Sequence, residues 1–123
     1  MWKEIGLVGI GAGTGGILRY LINLALHSTK FPLATLIINL SGSLALGVIA
    51  GIWAKDHPLR LLLGVGLLGG YTTFSTFSLD LIQQLKKGEW APMLTNLLVQ
   101  TIGSVILCGI GLALADRFSQ TNH

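Results

Sequence analysis

The chain has 123 residues, 51% of them hydrophobic and only 11% charged, with a mean hydropathy of +0.71. Soluble domains carry about a quarter charged residues, so the composition excludes an ordinary soluble domain. The formal charge of +3 does not point to nucleic acid, because the basic residues sit at the ends of apolar runs, where lipid headgroups lie.

Four apolar runs follow one another, at about residues 5–26, 33–54, 60–85 and 92–116. Spans of roughly 20 residues with short loops account for the whole length, so a single four-helix transmembrane domain is expected. Lys3 and Glu4 open the first run, and His27-Ser-Thr-Lys30 closes it. Its glycines dilute the apolar centre and no small-residue cleavage site precedes an exposed domain, so a retained span is expected rather than a signal peptide. Pro32 opens the second run and Lys55-Asp-His-Pro58 ends it; Lys86-Lys-Gly-Glu89 ends the third; Pro92 starts the fourth and Asp116-Arg117 stops it. Trp2, Trp53 and Trp90 all fall at run ends, as an aromatic interface belt requires.

Lys and Arg asymmetry sets the orientation of a membrane protein, and here there is almost none. One side carries Lys3, Lys55, Arg60 and Arg117; the other carries Lys30, Lys86 and Lys87, joined by Arg19 if it snorkels outward. This balance predicts insertion both ways up and assembly as an antiparallel homodimer. Small residues at four-residue spacing (Gly9/Gly13, Gly11/Gly15, Ser43/Gly47/Gly51, Gly66/Gly70) predict close helix packing.

The third run contains Gly69-Gly-Tyr-Thr-Thr-Phe-Ser-Thr-Phe77, a poor lipid-facing helix. Lipid offers no hydrogen bonds, so irregular backbone at that depth must be buried or line a cavity. A helix broken near the midplane is expected there. Polar residues recur on the other spans: Asn39 and Ser43 on the second, and Asn96, Gln100 and Ser104 at i, i+4 and i+8 on the fourth. Thr72, Ser75 and Thr76 belong to the third, and Arg19 to the end of the first. Three polar faces on successive spans exceed what helix packing needs and predict a pathway.

No carboxylate or lysine stands near the middle of a span, whereas proton relays depend on intramembrane ionisable groups. This counts against a small proton-coupled multidrug exporter, the nearest alternative. Neutral amide and hydroxyl donors suit a small anion, as do the positive ring edges of Phe74 and Phe77. Unwound carbonyls at residues 69–72 suit a cation, and in an antiparallel dimer they would meet near the two-fold axis. The histidines lie in loops or at the terminus and Cys108 is alone, so neither a metal set nor an enzyme's nucleophile–base pair is formed.

Gly66-Leu-Leu-Gly-Gly-Tyr-Thr-Thr-Phe-Ser-Thr-Phe77 resembles the third-helix signature of the CrcB/Fluc fluoride channels. Gly11-Ala-Gly-Thr-Gly-Gly-Ile-Leu-Arg-Tyr20 is similar to that family's glycine-rich first helix, and Asn39-Leu-Ser-Gly-Ser-Leu-Ala-Leu-Gly47 to its second. The resemblance implies a dual-topology homodimer in the inner or plasma membrane that exports fluoride passively. Neutral HF entering from acid surroundings ionises in the cytoplasm, and an anion leak relieves it. By position, Phe74 and Phe77 would line the pore with Asn39 as its amide. Thr76 and Ser104 would form a polar track, with Gln100 and Asn96 beside them and Arg19 near the entrance. Asp80 would shape a vestibule. The carbonyls of Gly69 and Thr72 would hold a structural sodium ion.

Overall fold

The computed structural model describes residues 1–27 and 31–121. Lys30 and His123 lie outside the described residues, as does most of the segment closing the first run. The described chain is all helical: α1 (Trp2–Leu26), α2 (Leu33–Ile52), α3 (a π-helix, Arg60–Leu68, continued by the α-helical turn Gly69–Tyr71), α4 (Phe74–Lys86) and α5 (Trp90–Thr121). With α3 and α4 counted as one span, four helical segments among the described residues are long and apolar enough to cross a membrane. This is an all-α multi-pass membrane protein.

Local chemistry sets most of the ends. Pro32 stands just before α2, where it costs no helical hydrogen bond. After α4, Gly88 takes φ 73°, Gly88 N donates to Leu85 O at 3.0 Å, and Glu89 N donates to Gln84 O at 2.9 Å. That is the paired-bond stop that a left-handed glycine permits. Helix α5 passes Asp116 and Arg117 and continues to Thr121. Charge ends the apolar stretch, but it does not end a helix whose last turns can meet water.

Helix α1 packs against α3, and α2 against α5. Both contacts are backbone to backbone. A methyl group on Gly15 would run into Leu67 O, and one on Gly47 into Cys108 O. The outward glycines of the first helix differ: at Gly9 and Gly13 nothing lies within 4 Å. Thus Gly11/Gly15 of the paired spacings builds the α1–α3 contact, and Gly9/Gly13 does not.

Between 11% and 28% of each apolar window is buried within the single chain. The core is correspondingly small, with Ile38, Leu68, Phe77 and Ala115 among its buried apolar residues. Most of the apolar surface faces outward, as expected when lipid rather than protein solvates it.

Candidate functional site

The π-helical segment ends where Gly69 N–H reaches back to Gly64 O, and Thr72 N–H then bonds Leu68 O at 3.0 Å in the α pattern. There helical geometry stops. Thr72 (φ −79°, ψ 156°) and Thr73 (φ −152°, ψ 119°) are extended, and α4 restarts at Phe74. Thr73 is its N-cap: the hydroxyl accepts from Thr76 N at 3.1 Å and lies 3.2 Å from the hydroxyls of both Ser75 and Thr76.

An interruption of this kind strands backbone groups, and Thr73 is buried. Asn39 on α2 meets the need. Its Oδ1 accepts from Thr73 N at 2.9 Å, and its Nδ2 donates to Thr73 O at 3.0 Å. Asn39 Nδ2 also donates to Gln100 Oε1 at 2.8 Å; Gln100 Nε2 donates to Asn96 Oδ1 at 2.7 Å; and Asn96 Nδ2 donates to Gln84 Oε1 at 3.3 Å. Four side-chain amides therefore form one chain linking α2, α5 and α4. Asn96, Gln100 and Gln84 are all buried.

Beside this chain lies a groove of about 390 Å³. Asn39 and Ser43 of α2, Gly69 and Thr72 of α3, Phe74 and Phe77 of α4, and Gln100 and Ser104 of α5 all line it. Phe77 is buried at 5% exposure, whereas Phe74 is 79% exposed. The two rings meet edge to face with centroids 5.7 Å apart. No Asp, Glu, Lys or Arg is among the lining residues. The groove offers hydroxyls, amides, carbonyls and ring edges.

Of the residues that the resemblance assigns to the pore, its polar track and its entrance, three stand off the groove. Asn96 lies behind Gln100 in the amide chain, Thr76 sits at the α4 cap, and half-buried Arg19 is on α1. Two participants were missed. Thr73 caps α4, and a threonine immediately before the apolar Phe74 is the helix-start signal that marks it. Gln84 gave no sequence signal, because a glutamine near a span end usually faces water. Tyr71, next to the interruption, has its hydroxyl 2.9 Å from Ser41 Oγ.

A family profile described as "CrcB-like protein, Camphor Resistance (CrcB)" matches residues 6–112. The chain belongs to this CrcB family. It is 38% identical over 96% of its length to the fluoride-specific ion channel FluC of Phocaeicola vulgatus, covering 99% of that protein. It is 44% identical to the protein of the same name from a Methylobacterium species, over 89% of this chain and 90% of the relative. With that of Pyrococcus furiosus it shares 37% identity, over 94% and 98%. In this CrcB protein the family match spans α1 through most of α5, and so includes the interruption, the amide chain and the whole groove.

Proposed function

We propose that this CrcB protein is a fluoride-selective channel that lets fluoride leave the cytoplasm down its electrochemical gradient. The observation that carries the reading is the uncharged groove at the helix interruption, lined by Asn39, Phe74, Phe77, Gln100 and Ser104. A small anion entering it exchanges water for amide and hydroxyl donors and for the positive edges of the two rings. No charged side chain lines the groove to trap the anion, which conduction requires. The names of the curated relatives support the choice of halide.

The working unit in this reading is an antiparallel dual-topology homodimer. The hydroxyl and amide groups in the wall of the groove would be unfavourable against lipid, which offers them no partners. A second, inverted copy over that face closes the conduit, and the near balance of Lys and Arg between the two sides permits both insertions. A structural sodium ion at the dimer centre completes the assembly. Its fit to the residues present is chemical: Thr73 N–H bonds Asn39 in place of the Gly69 carbonyl one turn back, which frees that oxygen. Gly69 and Thr72 both line the groove. Neutral backbone oxygens at unwound helix ends are the donors such a hard monovalent ion takes. When bound, the ion supplies a fixed positive charge that holds the two interruptions together.

The deciding experiment is efflux from liposomes reconstituted with the protein, read with a fluoride electrode and repeated for chloride. Fast fluoride efflux with chloride retained is the expected result. Equal rates for the two halides, or none, would overturn the reading.

A further inference from the structure

The amide chain has a direction, and the backbone imposes it. Thr73 N can only donate and Thr73 O can only accept, so Asn39 has one permitted orientation: Oδ1 toward the N–H and Nδ2 toward the carbonyl. Its remaining Nδ2 hydrogen then requires an acceptor, which orients Gln100 with Oε1 toward Asn39. Gln100 in turn orients Asn96, and Asn96 orients Gln84, each donating to the next. Amide oxygen and nitrogen are usually assigned from their surroundings; here a single anchor on the main chain decides all four.

Such a chain must end on an acceptor. Gln84 is 5% exposed, and its Nε2 has no partner among the described residues. One turn earlier on the same face of α4 stands Asp80, whose Oδ2 is buried and equally unpartnered. The Thr35 hydroxyl lies beside the same carboxyl, and both Asp80 and Gln84 border a polar cavity of about 250 Å³ at the end of the span. One orphan donor and one orphan acceptor, four residues apart on a helix, are matched groups.

We infer that Gln84 is a positioning residue for the anion path: it passes the last N–H of the chain to Asp80 and thereby holds Gln100 with an N–H free for the groove. Gln100 Nε2 carries two hydrogens, of which Asn96 takes one. Asn39 fixes which way Gln100 points, and securing the far end keeps Asn96 in place to hold it there, so Gln100 does not turn its carbonyl, which would repel an anion, into the groove. The inference rests on the channel reading above and assigns its donor polarity to two residues outside the groove.

The test compares wild type with Gln84→Met, with the exchange Asp80→Asn/Gln84→Glu, and with Gln83→Met on the neighbouring exposed glutamine, each in reconstituted liposomes at equal dimer content. Gln84→Met is expected to slow fluoride efflux about ten-fold, the rate equivalent of one hydrogen bond. The exchange variant returns an acceptor to Asn96 and is expected to recover within about three-fold of wild type, and Gln83→Met to match it. A purely structural Gln84 would lower dimer yield and leave the rate per dimer unchanged. Wild-type efflux in Gln84→Met, or an exchange variant as slow as Gln84→Met, would overturn the inference. A second measurement needs no variant to fold: in wild-type protein carrying 15N-glutamine, the Gln84 side-chain amide protons should exchange slowly with deuterium, and rapid exchange would also overturn it. A wild type that passes no fluoride would overturn the channel reading instead, leaving deuterium exchange to decide the hydrogen-bond chain.

Discussion

Asn39 stands to Thr73 as a neighbouring turn of helix would: its amide takes the Thr73 N–H at 2.9 Å and gives an N–H to the Thr73 carbonyl at 3.0 Å. The helix can therefore break at a buried residue without stranding either main-chain group. One side chain on α2 holds the interruption and starts the amide chain that runs beside the groove.

Asn39→Leu removes both bonds and leaves a buried N–H and carbonyl unpartnered, each worth about 1–3 kcal/mol when stranded. The expected result is a protein that unfolds at a distinctly lower temperature in detergent, together with loss of fluoride efflux. Unchanged thermal unfolding would show that the contact does not hold the break.

The α4 cap separates hydroxyl from shape. Thr73→Val is nearly isosteric but cannot accept from Thr76 N, and should destabilise by about 0.5–2 kcal/mol. Thr73→Ser keeps the acceptor and should stay near wild type. Chemical denaturation of all three proteins in one detergent checks the ordering, which a role in side-chain packing alone would reverse.

Phe74 and Phe77 should respond alike in function and differently in stability. Replacement of either by isoleucine is expected to abolish fluoride flux while the dimer still forms. Phe77 is buried within its own chain, so Phe77→Ala should cost about 3–5 kcal/mol. Phe74 is 79% exposed there, and its alanine variant should cost far less within the subunit. Size-exclusion profiles and unfolding curves, read beside efflux, distinguish the two.

Two glycines of α1 provide a packing test. Gly15→Ala would drive a methyl group into Leu67 O on α3, and overpacking of this kind costs about 1–3 kcal/mol. Gly13→Ala meets nothing within 4 Å and should be neutral or slightly stabilising. Comparable losses for both would mean that α1 does not seat on α3 as described.

Much of the architecture was legible before any coordinates. Hydropathy marks four spans because lipid demands long apolar runs, and Lys86-Lys-Gly-Glu89 announces a helix stop that Gly88 then makes with its positive φ. The glycine pair followed by hydroxyl residues likewise marks segment 69–77 as unsuited to lipid. Asn39, Gln100 and Ser104 stood out because polar groups inside a membrane need a reason.

Which of those polar groups face the groove was settled elsewhere. Asn96 lies on the same stripe as Gln100, yet it stands behind it, because the stripe runs past the groove toward Gln84. The interruption falls at Thr72 and Thr73, after a helical turn at residues 69–71, since the backbone can open only where an outside group replaces its bonds. Periodicity and composition report what each residue is and which side of its own helix it occupies. Pairing a main-chain N–H with a side chain 34 positions away requires that α2 and α4 be brought together, and only packing in three dimensions does that.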